Sequence, residues 1–155
     1  MNKNKTAWFM LSLFVCFFTA FLGSSVTTPS IDNWYQSLNK PFFNPPSWIF
    51  APVWTLLFFL MAVSLYLILI NSKRNIKGIM LFCTQLFFNF LWSYLFFSVH
   101  NPLLAFIDIL ILIALVFLTY KNFSKINKTS GLLLIPYLAW ISFASIINLT
   151  IVLLN

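Results

Sequence analysis

Residues 48–70 read WIFAPVWTLLFFLMAVSLYLILI, a run of 23 residues without a charged side chain. A helix needs about 20 apolar residues to cross the hydrocarbon core of a bilayer. Further runs without Asp, Glu, Lys or Arg cover residues 6–31, 78–107 and 130–155. Backbone polar groups in lipid must be paired within the structure itself, so we read these runs as transmembrane helices.

The composition agrees with a membrane protein. Only 7% of the 155 residues are charged and 61% are hydrophobic, whereas a soluble domain carries about 25% charged residues. The alternating segments of a membrane β-barrel are missing. The sequence therefore predicts an all-α integral membrane protein, a single domain over residues 1–155, built as a bundle of five transmembrane helices near residues 6–26, 48–70, 79–98, 103–120 and 131–153.

The positive charges indicate how the chain is oriented. Eight of the nine Lys and Arg residues precede the first helix or lie in the second and fourth loops, and Lys40 alone lies in the first loop. Short basic clusters at helix ends stay inside the cell. We expect a multi-pass protein of a bacterial-type cell membrane, with its N-terminus inside and its C-terminus outside. The same placement argues against nucleic acid as a partner.

Two segments allow alternatives. The first helix could be a cleaved signal peptide, but its apolar stretch is longer than usual and no A-x-A site follows it. The connection over residues 27–47 is long and rich in aromatic residues and proline, with little charge. Such a loop is too apolar for disorder, so we expect it to be structured and to fold over the helix ends as a lid.

Polar and aromatic side chains recur on single faces of three helices. They are Trp54, Phe58, Met61 and Leu65 in the second helix, Gln85, Asn89, Trp92, Ser93 and Phe96 in the third, and Trp140, Ala144 and Asn148 in the fifth. One interpretation is interhelical packing, with amides as weak hydrogen-bonding links. The other is a ligand pocket of flat aromatic faces with a few orienting amides. Spacing leaves both open.

The remaining candidates for chemistry are isolated. Asp108 is the only acid within a span, and it is either a functional group or a protonated or hydrogen-bonded structural acid packed against a neighbouring helix. His100 is the only histidine, so no metal site is expected, although an axial haem ligand is a weaker alternative. Cys16 and Cys83 are expected to be buried apolar residues. No conventional catalytic constellation is present.

Four motifs together resemble the tryptophan-rich sensory protein/translocator protein (TspO/MBR) family, also described as the peripheral-type benzodiazepine receptor family. Residues 34–41 and 45–55 read WYQSLNKP and PPSWIFAPVWT, and they are similar to the family's first loop and second helix. Residues 85–97 and 136–148 read QLFFNFLWSYLFF and PYLAWISFASIIN, and they are similar to its third and fifth helices. Asp108 lies where the family's fourth helix carries an acid.

The resemblance implies a five-helix bundle, often dimeric, with a pocket covered by the first loop. Family members bind porphyrins such as protoporphyrin IX, and some bind other flat apolar molecules. No cofactor is required, and the porphyrin is a ligand. By this similarity, and with Phe58 and Gln85 added from the helix faces, the expected ligand contacts are Tyr35, Trp54, Phe58, Gln85, Asn89, Trp92, Trp140 and Ala144.

Three hypotheses follow from the resemblance. The first is a tetrapyrrole-binding membrane protein that acts as a sensor, carrier or scavenger, with Lys40 as the cation nearest the ligand's carboxylates. The second is an enzyme that degrades bound porphyrin in light, with Trp54 and Trp140 as the reactive residues. The third is a structural or regulatory membrane scaffold. A homodimer is also implied, and Thr19 and Gly23 would offer a small contact surface for it.

Overall fold

A computed structural model describes residues 3–155, without the side chain of Lys3, so Met1 and Asn2 of the expected domain lie outside the described residues. The described residues form six α-helices, two of which continue as a π-helical turn. The bounds are α1 Lys3–Ser30 continuing over Ile31–Tyr35, α2 Ser47–Leu69, α3 Ile76–Ser93 continuing over Tyr94–Ser98, α4 Pro102–Ile126, α5 Lys128–Leu132 and α6 Ile135–Leu154.

The five expected spans are confirmed. Five helical segments are long and apolar enough to cross a membrane, and α5 and α6 together form the fifth of them, Lys128–Leu154. The described part of the chain contains no strand. The class, an all-α membrane bundle, therefore stands as predicted.

The predicted end of the first helix was wrong. The helix continues from residue 26 to Tyr35, and the first loop shortens to residues 36–46. Polar residues in this stretch favoured a loop, but tertiary contacts hold it helical. The Ser30 hydroxyl donates to the Phe97 carbonyl at 2.6 Å, and the Trp34 ring stacks on His100 at 4.4 Å. Pro29 cannot donate a backbone hydrogen bond, and the wider π-helical turn follows it.

The predicted bounds near the C-terminus were also wrong. Helix α4 continues past residue 120 to Ile126, and only Asn127 separates it from α5. The Asn127 side chain caps α5 by accepting from the Ser130 N–H at 3.0 Å, which allows this abrupt reversal. The fifth span is broken before α6 because Pro136 lacks an N–H and suits only a first helical turn.

Helix packing divides the bundle into a dense half and an open half. The closest neighbours are α3 with α4, α1 with α2 and α4 with α6. In the dense half, buried Ser64 on α2 and Ser130 on α5 hydrogen-bond to each other at 3.0 Å. The backbones of α2 and α6 come close at few positions, and a cavity opens beside these helices. Cys16 is buried as expected, but Cys83 is exposed on α3, so that expectation was wrong.

Candidate ligand-binding cavity

A cavity of about 550 Å³ lies between α1, α2, α3 and α6, in the half of the bundle next to the first loop. Ligand pockets commonly measure about 300–1,000 Å³. Seven of the eight expected contact residues line this cavity: Tyr35, Trp54, Phe58, Asn89, Trp92, Trp140 and Ala144. The structure therefore brings together residues from four helical segments that are far apart in the sequence.

Aromatic rings form the walls. Trp54 lies edge-on to Tyr137 with ring centroids 6.2 Å apart, and Trp140 lies edge-on to Phe50 at 6.2 Å. On the α3 side, Trp92 stacks on Phe96 at 5.4 Å. Each ring is held by a neighbouring ring, which fixes its plane. The cavity thus presents rigid, flat apolar surfaces.

The amides on the helix faces serve as interhelical links as well as cavity walls. Asn89 Nδ2 on α3 donates to the Tyr137 hydroxyl on α6 at 2.8 Å. The Trp92 indole N–H donates to Asn148 Oδ1 at 3.0 Å, and Asn148 Nδ2 donates to the Pro102 carbonyl at 2.8 Å. The two interpretations from the sequence are therefore compatible, because the same residues pack the helices and border the cavity.

Two indole donors remain without a partner. No described residue accepts a hydrogen bond from the indole N–H of Trp54 or Trp140. Both rings line the cavity, and an indole N–H in an apolar site normally has an acceptor. These two groups are therefore available to hydrogen-bond an acceptor atom of a ligand.

Gln85 is the one expected contact residue that does not line the cavity. It lies one helical turn from Asn89, away from the cavity, and its side chain is buried. Its Nε2 lies 3.8 Å from Met61 Sδ, and no described residue donates to its Oε1. The predicted face of α3 points into the bundle, but the cavity extends along α3 only as far as Asn89 and does not reach Gln85.

The first loop lies against the ends of the helices around the cavity. The Tyr35 hydroxyl donates to Asn44 Oδ1 at 3.1 Å. The Asn39 backbone N–H donates to Asn155 Oδ1 at 2.9 Å, and Asn155 Nδ2 returns a bond to the Asn39 carbonyl at 3.0 Å. The loop is thus fastened to the ends of α1 and α6.

Lys40 does not have the surroundings expected of a ligand-binding cation. Its ammonium donates to the carbonyls of Tyr35, Gln36 and Leu38 at 2.7, 3.3 and 3.0 Å. These bonds cap the C-terminal end of the first span, where a cation is favoured. Lys40 does not line the cavity, and no residue that lines it among residues 3–155 is charged.

Other candidates from the sequence lie away from the cavity. Asp108 is buried on α4, and His100 is exposed beside Trp34. In residues 3–155 no group of three His, Cys, Asp or Glu side chains could hold a metal. Gly23 and Thr19 line the cavity, and a Cβ at Gly23 would lie 3.5 Å from Ser93 Oγ of the same chain. Gly23 therefore packs against α3 within the chain, and the contact surface expected at Thr19 and Gly23 stays a prediction.

Sequence reasoning missed the contribution of α1. Its lining residues follow helical spacing and were assigned to a loop or overlooked: Ala20, Gly23, Ser24, Thr27, Thr28 and Ile31. The signal was a stripe of small residues with i, i+3 and i+4 spacing that continues past residue 26. Small side chains on this face leave the space that the cavity occupies.

The fold and this cavity define a class: a five-span α-helical membrane protein with an aromatic, uncharged internal site. The model of the TspO/MBR family matches residues 12–154, so the chain belongs to the TspO/MBR family. It is 48% identical over 136 residues to the tryptophan-rich protein TspO of Archaeoglobus fulgidus, covering 87% of this chain and 88% of that protein.

Two further relatives extend the similarity. The tryptophan-rich protein TspO of Chlorobaculum tepidum is 40% identical over 158 residues, covering 100% of this chain and 99% of that protein. The translocator protein of Ovis aries is 35% identical over 132 residues, covering 83% of this chain and 78% of that protein. The resemblance drawn from the four motifs is confirmed.

Proposed function

We propose that this membrane protein binds tetrapyrroles such as protoporphyrin IX in the cavity beside α2 and α6. The observation that carries the proposal is that Trp54, Trp92 and Trp140 converge on one uncharged cavity of about 550 Å³. A porphyrin is flat and largely apolar, so burial against indole and phenyl faces would supply most of the affinity. No cofactor is needed, because the porphyrin itself is the ligand.

A carrier, sensor or scavenger would each use the same site. The name of the sheep relative, translocator protein, describes translocation for that protein, and it favours a carrier among the three roles. The cavity fits a role in which the ligand is held unchanged, because no described residue that lines it is an acid, a base or a thiol nucleophile.

The test is a titration of the detergent-purified protein with protoporphyrin IX in darkness, followed by tryptophan fluorescence. We expect saturable quenching, with affinity lowered about tenfold in Trp54→Phe and Trp140→Phe, because each loses ring area and an N–H donor. Trp48→Phe is the matched control, since Trp48 is 74% exposed and does not line the cavity. Equal weakening by all three variants would contradict the proposed site.

A second candidate is light-driven degradation of the bound porphyrin with dioxygen as oxidant. The observation that favours it is the placement of Trp54 and Trp140, whose unpaired indole groups border the same cavity. Illuminating the saturated complex in air separates the two functions. Loss of the porphyrin's main absorption band with wild type, but not with the Trp54→Phe or Trp140→Phe variants, would support degradation. An unchanged band supports binding alone, and an absence of saturable binding leaves the scaffold hypothesis.

We also propose that the N-terminus lies inside the cell and the C-terminus outside. Arg74 lies 5.2 Å from the Trp8 ring, so the start of α1 and the end of α2 share one face of the bundle. That face carries the basic clusters that favour the inside. A cysteine introduced at Asn155 should react with an impermeant thiol reagent added outside sealed cells. Lack of reaction would indicate the opposite orientation. The homodimer implied by the family resemblance remains a prediction.

A further inference from the structure

The cavity has an open side between α1 and α2. Seven residues both line the cavity and are exposed at the protein surface: Phe17, Phe21, Ser24 and Thr28 on α1, and Ser47, Ala51 and Thr55 on α2. A residue that faces both the cavity and the exterior lies at the edge of an opening. The seven residues therefore define a gap, called here the α1–α2 gap.

The gap results from how α1 packs along its length. Near its start, α1 contacts the end of α2, where the rings of Phe9 and Tyr66 lie 5.3 Å apart. Farther along, α1 packs against α3 instead. Gly23 lies against Ser93, and Ser30 donates to the Phe97 carbonyl. Helix α1 thus changes partners partway along, and the start of α2 contacts α6 through Phe50 and Trp140 instead.

The Phe21 end of the gap lies at the depth of the lipid chains, whereas Thr28, 23 residues beyond Lys5, lies about 35 Å along the helix and so near the headgroups. Phe21 is 16 residues beyond Lys5, which is about 24 Å along a helix at 1.5 Å per residue. The hydrocarbon core is about 30 Å thick. Both threonines at the gap satisfy their hydroxyls within their own helix, Thr28 on the Ser24 carbonyl at 2.9 Å and Thr55 on the Ala51 carbonyl at 2.8 Å. The rim can therefore face lipid without leaving these donors unpaired.

The side of the cavity next to the first loop is closed by hydrogen bonds. Tyr35 is bonded to Asn44, and Asn39 and Asn155 bond to each other twice. A ligand that passed under the loop would have to break these bonds. The α1–α2 gap has no such fastening among the described hydrogen bonds, and Phe21, one of the two phenylalanines at the gap, is 66% exposed.

We propose that a flat, apolar ligand dissolved in the bilayer enters and leaves the cavity sideways through the α1–α2 gap, and not from the water beneath the first loop. This inference rests on the proposed function, because it concerns access to the same site. It identifies the source of the ligand as the membrane itself.

The experiment narrows the gap without changing the cavity floor. Ser24→Phe combined with Thr55→Phe adds two rings at the rim. Ser25→Phe combined with Leu56→Phe is the matched control, because Ser25 and Leu56 are exposed neighbours that do not line the cavity. Thr28→Phe with Ala51→Phe is a second gap pair in case the first fails to fold. Phenylalanine is chosen so that tryptophan fluorescence remains the signal.

Each protein is reconstituted into phosphatidylcholine vesicles and mixed rapidly with vesicles that carry protoporphyrin IX dimethyl ester. We expect the gap pair to lower both the association and the dissociation rate constants at least tenfold, because an obstacle on the route slows both directions. The control pair should stay within twofold of wild type. An association rate constant within twofold of wild type for a folded gap pair, or an equal fall in the control, would overturn the proposal.

A second variant tests the alternative route. Asn155→Ala removes both bonds to Asn39 and should leave the association rate constant unchanged. A several-fold increase in the association rate constant of this variant would place the entrance under the loop and overturn the proposal of entry through the gap. The two proposals fail differently. If the wild-type protein shows no saturable binding at equilibrium, both the proposed function and the proposed entry route are overturned. If binding is saturable but its rate constants are the same in the gap pair and in wild type, only the entry route is overturned.

Discussion

Asp108 lies on α4 with both carboxyl oxygens buried, and no described residue donates a hydrogen bond to either of them. The sequence left two readings of this acid open, functional or structural. Within residues 3–155, Asp108 is not held by hydrogen bonds from its neighbours. A buried polar group without a partner costs about 1–3 kcal/mol, so this position lowers stability and invites a functional test.

We therefore expect Asp108→Asn to be no less stable than wild type, with a free energy of unfolding unchanged or higher by up to about 1 kcal/mol. The amide keeps the shape of the side chain and cannot ionise, so no charge can be left unsolvated there. The measurement is thermal unfolding in detergent. Asp32→Asn is the control, since Asp32 is the only other acid and is exposed. Clear destabilisation by Asp108→Asn alone would show that the carboxylate has a partner such as a buried water or ion.

At the scale of the element, the end of the first span shows how tertiary contacts override local preference. Residues 27–33 are rich in Thr, Ser, Asn and Asp, which compete with helical hydrogen bonds. The chain nevertheless stays helical to Tyr35. Ser30 is held by Phe97, Trp34 packs on His100, and Lys40 caps the final carbonyls.

Lys40→Met should destabilise the protein by about 1–2 kcal/mol, because three carbonyls at the end of the first span lose a charged donor. Methionine keeps the length and apolar stem of the side chain. The measurement is the unfolding temperature in detergent, with Lys73→Met in the second loop as the control, since Lys73 is exposed and lies outside any helix. If Lys40 instead bound a ligand carboxylate, the variant would lose porphyrin affinity while its unfolding temperature stayed unchanged.

At the scale of the whole molecule, charge is segregated from the site. The basic residues lie at helix ends, and the described residues that line the cavity are all uncharged. Moving a carboxylate into such a cavity is costly because nothing there replaces its water. The carboxylates of a bound porphyrin would therefore have to remain outside the apolar walls.

We expect protoporphyrin IX dimethyl ester to bind at least as tightly as the free diacid, because the ester has no charge to desolvate. The measurement is a competition titration in one detergent, in which the ester displaces the bound diacid. Mesoporphyrin IX and its dimethyl ester form a second pair that controls for the vinyl groups. Diacid binding tenfold tighter than ester binding in both pairs would mean that a cation reaches the ligand.

Most of the architecture could be predicted from composition and run length. The four uncharged runs exceed the thickness of the bilayer, and the apolar stretch after Pro102, which contains Asp108, supplies the fourth of the five spans. The spans and their order follow without any knowledge of packing. The helix faces that carry Trp54, Asn89 and Trp140 were also readable, because helical spacing places such residues on one side. The predicted positions of the helix ends were the least accurate, since these ends depend on caps and on contacts with distant helices.

The sequence by itself determined the membrane environment, the five spans and the aromatic faces, because these depend on local hydrophobicity and on the helical repeat. Only the tertiary structure decided that Gln85 stays outside the cavity, that Lys40 caps a helix and that α1 supplies one wall of the site. These outcomes depend on which helices touch and at what depth. That arrangement follows from the packing of all the side chains together, and no single segment contains it.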